Sequence, residues 1–288
     1  MKLAYFPGCS ASAMAAEYNT STLALARILG IELLEIPQWN CCGASAAHNT
    51  SPLLALALPA RSLALAEADN LDVAVPCAAC YSRMKAVQQA VRDSDKIREQ
   101  VSSLIEMDYR ARNEVYSIVE IFARPQILKQ LQTKLIKPLS GLKVASYYGC
   151  LLVRPPALAI DDPEDPKALD TIIQSLGATP LHWHAKVSCC GAGHATTLTP
   201  VGINMIGHIL EAAADQGADC IACACPMCML NLDMRQKAIG KRKKTTYNIP
   251  VFYFTELAGF ALGIPPQRLG LKKHFVNPVP LFKAKKYL

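Results

Sequence analysis

The sequence predicts an α/β fold built as two pseudo-symmetric halves, each a small parallel sheet flanked by helices. Short β-prone runs alternate with helical stretches, the pattern of parallel βαβ units. A set of cysteines occurs twice, and from its double cysteine onward the second copy repeats the first with a shift of 148 positions. The 288 residues are 51% hydrophobic and 18% charged, enough apolar material for two compact domains.

In the first half, strands are expected at Leu3 to Phe6, Glu32 to Ile36 and Val73 to Val75, and helices at Ala13 to Leu29, Leu53 to Ala68 and Tyr81 to Ile97. The second half repeats the order, with strands at Lys143 to Tyr148, Pro180 to Trp183 and Cys220 to Ala224. Its helices are expected around Leu169 to Leu176, Val201 to Ala214 and Met227 to Lys237. A further apolar segment closes each half, Val115 to Ala123 and Val251 to Leu262. The boundary is expected between Pro125 and Gly141, giving an N-terminal domain of residues 1–140 and a C-terminal domain of residues 141–288 that ends in a basic extension. A repeat near half the chain length means two domains rather than a solenoid, which needs at least three short stacked units.

Composition removes several function classes. The longest apolar run, Cys220 to Leu230, is far short of the roughly 18 residues that span a bilayer, so no membrane insertion is expected. The opening Met1 to Phe6 is interrupted by Pro7 and Gly8 before any signal-peptide core forms, as in an untargeted protein. The net charge of +7 is uneven: residues 237–288 hold 11 Lys and Arg against one acid, Glu256, leaving 19 against 22 in the rest. Lys241 to Lys244 read as a loop between two elements, and with Lys272, Lys273, Lys283, Lys285 and Lys286 they could steer a negatively charged partner or face water. Nucleic acid is not expected, because no aromatic platform is interleaved with these charges.

Twelve cysteines grouped as pairs are poorly placed for simple cross-linking and point to metal or redox chemistry. Ten form two arrays, C-x31-CCG-x33-C-x2-C and C-x38-CCG-x33-C-x2-C. The first is Cys9, Cys41, Cys42, Cys77 and Cys80; the second is Cys150, Cys189, Cys190, Cys225 and Cys228. Cys9, Cys77, Cys150 and Cys225 are expected at carboxyl ends of strands, the ligand-binding edge of an open α/β sheet, with the CCG segments in loops directly after strands. Each Cys-x-x-Cys opens a helix, whose positive end stabilises thiolates. Adjacent cysteines that converge need irregular backbone, which Gly43 and Gly191 permit. Five thiols per half exceed the four of a zinc site or an ordinary cubane cluster, and zinc held by four of them stays open as the lesser alternative. Cys220 and Cys223 have no counterparts in the first half, where Asp72 and Val75 stand, and read as core-filling strand residues.

The double array resembles the CCG-domain family typified by the B subunit of heterodisulfide reductase, and the stretch Gly270 to Pro278 is similar to that family's C-terminal signature. The resemblance runs over nearly the whole chain. It implies two CCG domains, each carrying a non-cubane 4Fe-4S cluster held by the five cysteines of its own array, with a disulfide such as that of coenzymes M and B cleaved between them. It also implies a cytoplasmic, multi-subunit heterodisulfide reductase-like complex in which electrons arrive from a small ferredoxin-like C subunit, itself fed by a flavoprotein A subunit. No ferredoxin-type cysteine run or dinucleotide fingerprint is present in this chain.

CCG domains also serve in the electron-transfer subunits of succinate or fumarate reductases and of glycolate or lactate oxidases, so that reading stands as the alternative, beside a zinc-stabilised interaction scaffold. His48 and His194, each just downstream of a CCG, are candidate proton donors, with a helix-entry role as the competing reading. His182 and His184 flank Trp183 on an expected strand and read as structural. Lys186 could approach an anionic substrate or simply be solvated. The basic extension is a candidate docking segment for partner subunits.

Overall fold

The computed structural model describes residues 1–44 and 46–288. The elements run β1 (Lys2–Tyr5), α1 (Gly8–Ala11), α2 (Ala16–Ile28), β2 (Glu32–Glu35), α3 (Ala47–Thr50), α4 (Pro52–Ala68), β3 (Val73–Val75), α5 (Ala78–Asp93), α6 (Asp95–Ile105), β4 (Val115–Ser117), α7 (Ile118–Phe122) and α8 (Pro125–Thr133). They continue with β5 (Lys143–Tyr147), α9 (Ala168–Ser175), β6 (Thr179–Pro180), α10 (His194–Thr197), α11 (Thr199–Asp215), β7 (Cys220–Cys223), α12 (Pro226–Met234), α13 (Gln236–Lys243), β8 (Val251–Tyr253), α14 (Phe254–Ala261) and α15 (Val279–Ala284).

Two four-stranded parallel sheets result, ordered β2-β1-β3-β4 and β6-β5-β7-β8. The central strands β3 and β7 are buried throughout, as continuous apolar runs covered on both faces must be. The edge strand β2 keeps both its glutamates exposed, a charged edge that resists pairing with another chain. In each sheet the direction of winding reverses between the first and third strands, so the topological switch point lies between β1 and β3, and again between β5 and β7.

Each closing apolar segment is a strand followed at once by a short helix, β4–α7 and β8–α14. Glu120 and Glu256 accept from the backbone N–H of Ser117 and Tyr253 to cap those helices. These helices join the halves: α14 packs on α2 and α7 on α9. Phe122 meets Phe254 edge to face at 5.8 Å, and Tyr18 stacks on Tyr253 at 4.0 Å.

Several expectations are corrected. The long helix from Tyr81 is two, because Ser94 is extended and its side chain accepts from the Ile97 N–H as the N-cap of α6. The strand expected at Pro180 to Trp183 stops at Pro180. The chain then turns to bury Trp183, whose indole N–H donates to the Ser146 carbonyl, so His182 and His184 share no strand face. Lys241 to Lys243 lie in the last turn of α13, with Lys244 its left-handed cap, where cations complement the helix dipole.

The C-terminal extension folds back onto the chain: Phe282 stacks on Phe252 and Phe260, and Lys285 pairs with Asp219 at 2.6 Å. His274 meets Glu256 at 3.0 Å, and Asp233 accepts the N–H of Phe275 and Val276. Cys220 and Cys223 are fully buried strand residues, as their lack of counterparts suggested.

Candidate functional site

The loops that leave the two switch points carry the four cysteines expected there. Cys9 follows β1 and Cys77 follows β3; Cys150 follows β5 and Cys225 follows β7. Cys9 falls within the short helix α1, and Cys77 and Cys225 are the N-cap residues of α5 and α12. The CCG loops arrive from the edge strands. Cys41-Cys42 is separated from β2 by a turn, and Cys189-Cys190 from β6 by the 3₁₀ turn His184–Val187, so neither CCG directly follows its strand. Gly43 and Gly191 take φ +72° and +80°, the left-handed conformation that turns each pair of neighbouring cysteines toward its helix.

All twelve cysteines are free thiols. The Cys42 and Cys80 sulfurs stand 3.2 Å apart, and the matching Cys190 and Cys228 sulfurs 3.6 Å. Cys9 acts on the acidity of Cys41, and Cys189 on that of Cys150. Cys77 and Cys225, one from each half, are near enough to shift each other's acidity, which brings the two arrays together. Of the ten array thiols six are buried, Cys150 and Cys189 are half-buried, and Cys9 and Cys41 are exposed, which opens the site to solvent on one side. Among the described residues, no three His, Cys, Asp or Glu side chains converge as the shell of one metal ion.

The second cysteine of each CCG is more acidic than the Cys-x-x-Cys thiol it touches. The hydrogen bond with Cys80 holds Cys42 at about 7 against the opposing effect of burial, and the one with Cys228 likewise lowers Cys190. Cys80 and Cys228 are pushed up by the same hydrogen bonds and by burial. Cys189 is lowered to about 6, first by the Cys150 thiol, with His194 contributing. Sulfur donors that share protons in this way suit a polynuclear iron–sulfur centre, whose ligands are thiolates.

Gly8 and Gly149 stand immediately before Cys9 and Cys150, with φ +70° and +67°. A Cβ on either would lie 3.1 Å from the Cys80 sulfur or 3.0 Å from the Cys228 sulfur. These two loops can pass the Cys-x-x-Cys sulfurs only because they carry no side chain there.

The two candidate proton donors differ. His194 is exposed at the start of α10 and acts electrostatically on Cys189, whereas His48 is exposed on α3 with its Nδ1 3.5 Å from Arg83. Lys186 is neither solvated nor directed at the site. It is 2% exposed, and its ammonium donates to Asp170 at 2.7 Å, Asp165 at 2.9 Å and the Pro166 carbonyl at 2.9 Å. Its own carbonyl accepts from the N–H of Tyr148 and Gly149, which fixes the loop entering Cys150.

Three supporting residues lie outside the sequence-predicted set. Asn231 is buried and donates to the carbonyls of Cys190 and Ala192 and, at 3.6 Å, to the Cys190 sulfur. Arg83, 148 positions earlier, acts electrostatically on Cys42. Both lie three residues after the last cysteine of their array, on the same helix face, a spacing that could flag them. Tyr18 bridges the halves by contacts no local pattern reveals.

The geometry defines a class first: a duplicated, doubly wound α/β protein with a thiol cluster at its two switch points. The chain belongs to the CCG family, whose cysteine-rich domain model matches residues 3–85 and 144–233. It is 36% identical over 285 residues to the 8-methylmenaquinol:fumarate reductase membrane anchor subunit of Wolinella succinogenes, a match covering 97% of this chain and 99% of that protein. It is 29% identical over 293 residues to the B subunit of the ferredoxin:CoB-CoM heterodisulfide reductase of Methanosarcina mazei, covering 99% and 97%. The structure superposes on that of a hypothetical protein from Helicobacter pylori with a TM-score of 0.78 at 16% identity, which shows the shared fold. That match covers 96% of this chain and about half, 52%, of the other. No helix among the described residues is long and apolar enough to cross a membrane.

Proposed function

We propose that the chain is the iron–sulfur component of a multi-subunit, cytoplasmic reductase of small disulfides, which would hold two non-cubane 4Fe-4S clusters. Cys9, Cys41, Cys42, Cys77 and Cys80 would hold one cluster, and Cys150, Cys189, Cys190, Cys225 and Cys228 the other, in domains of residues 1–140 and 141–288. The observation that carries the reading is the closeness of the two arrays: the residues just before Cys77 and Cys225 both lie within 3.2 Å of the Tyr18 hydroxyl.

Reducing R–S–S–R′ to two thiols consumes two electrons and two protons. The clusters, when bound, supply the electrons one at a time. The protein's own contribution is geometric and protonic. The exposed Cys9 and Cys41 would meet a small disulfide, with the Cys-x-x-Cys pairs buried, and His48 and His194 would be the proton donors. Electrons would come from a ferredoxin-like C subunit served by a flavoprotein A subunit, in keeping with the similarity to the B subunits of heterodisulfide reductases.

Anaerobically prepared protein should contain iron and acid-labile sulfide in stoichiometric excess over zinc, and Cys41→Ser or Cys189→Ser should lose iron and disulfide turnover together. A colourless zinc protein, or a serine variant with full iron and full turnover, would overturn the reading. The 36% identity to a fumarate reductase membrane anchor subunit favours a second reading, an electron-transfer protein held peripherally on a membrane through its basic C-terminal region. That reading predicts no thiol-dependent change in the paramagnetic spectrum and co-sedimentation with anionic vesicles.

A further inference from the structure

One buried hydroxyl touches the approach to both cysteine arrays. Tyr18, on α2 of the first half, is 0% exposed, and its ring lies nearly parallel to that of Tyr253 from the second half, 4° apart in plane. Its hydroxyl oxygen stands 3.2 Å from the Pro76 carbonyl oxygen and 3.2 Å from the Ala224 carbonyl oxygen. Those are the residues immediately before Cys77 and Cys225, thiols of opposite halves that shift each other's acidity. The same contact therefore recurs at equivalent points of the two copies, made by a single residue.

A phenol carries one proton, so it can donate to one of these carbonyls at a time. Two carbonyl oxygens that converge without a proton between them repel. The hydroxyl both removes that repulsion and limits how far the ends of β3 and β7 can separate. We propose that Tyr18 is a positioning residue that sets the spacing of the two cysteine arrays by tying the backbone ahead of Cys77 to the backbone ahead of Cys225. The inference matters to function through the reading above, that both arrays act as one site, but its test uses thiols alone and stands whatever the metal is. Elsewhere the seam is closed by the buried Ser21–Thr255 hydrogen bond of 2.7 Å, so losing the Tyr18 hydroxyl should act locally.

The test is mild oxidation of the reduced, metal-free full chain with a diazenedicarboxamide, which takes two hydrogens from a thiol pair and leaves a disulfide. Disulfide-linked peptides are then quantified by mass spectrometry. The measured quantity is the ratio of the interdomain Cys77–Cys225 link to the local Cys77–Cys80 and Cys225–Cys228 links, which report general loosening equally. Tyr18→Phe should lower this ratio about three- to tenfold, the effect of one lost buried hydrogen bond, while Ser21→Ala and Tyr253→Phe leave it near the wild-type value. Para-aminophenylalanine in place of Tyr18, with two protons for the two carbonyls, should keep or raise the ratio, and it provides the decisive comparison should the phenylalanine variant fail to fold. An unchanged ratio in folded Tyr18→Phe, or a loss of about three- to tenfold in the amino variant, would overturn the proposal.

Discussion

Replacing Gly149 by alanine tests the packing of the sulfur site directly. Its φ of +67° is a conformation that costs an L-residue about 1–2 kcal/mol. The new Cβ would also sit 3.0 Å from the Cys228 sulfur, well inside the contact distance of about 3.5–4.0 Å that non-bonded heavy atoms prefer. Cys228 must retreat by several tenths of an ångström. Gly8 repeats the situation at 3.1 Å from Cys80.

Gly30 and Gly217 provide the control, since they share the positive φ, +67° and +66°, but a Cβ there meets nothing within 4 Å. All four Gly→Ala changes should therefore cost backbone strain, while Gly8→Ala and Gly149→Ala alone disturb the site. Unfolding entropy of about 2.1 cal/mol/K per residue makes each kcal/mol worth about 1.7 °C in a chain of this length, so the Gly8/Gly149 double variant should lose about 3–7 °C in Tm. The assay is thermal circular dichroism of the metal-free chain together with iron and sulfide per chain after anaerobic reconstitution. Full iron retention in the Gly8/Gly149 double variant, or equal iron loss in Gly30→Ala, would refute the argument that these loops approach the sulfurs too closely for a side chain.

Other outcomes follow from the same geometry. Lys186→Met should destabilise the fold by about 1–3 kcal/mol, the cost of leaving the part-buried Asp170 carboxylate without its partner, measurable by urea denaturation. Burial alone would lower His274, but the Glu256 carboxylate holds it above its ordinary value of 6.5. The stability it contributes is therefore complete below pH 6.5 and fades as pH rises through the folded value, a slope that His274→Gln should flatten in denaturation curves at about pH 6 and 8. Deletion of residues 264–288 should yield an unfolded or aggregated chain by size exclusion, because it strips Phe282 from the core and exposes Phe252 and Phe260.

What can be read from the sequence, and what cannot, divides by the range of the interaction. β3 is legible to the residue because Val73 to Val75 is a β-prone apolar run closed by Pro76. The ten cysteines are legible because duplication repeats their spacing. The surroundings of Lys186 are not, because Asp165 and Asp170 lie 21 and 16 positions away with no periodic relation to it. Tyr18 is invisible for the same reason, its acceptors being 58 and 206 residues distant. In the basic extension, charge density hides the buried anchor Phe282, and Lys241 to Lys244 mislead because lysines favour a helix C-terminus as readily as a loop.

The crossed packing of α14 on α2 and α7 on α9 bears on ancestry. A single-copy forebear could have covered those helix faces only by meeting a twin about a two-fold axis, as an isologous homodimer. In such an assembly every substitution appears on both sides at once. Fusing the copies broke that obligation, and the chain now sets Cys223 opposite Val75 and Asn231 opposite Arg83, so its two sulfur sites have become free to diverge in potential and in ligand preference.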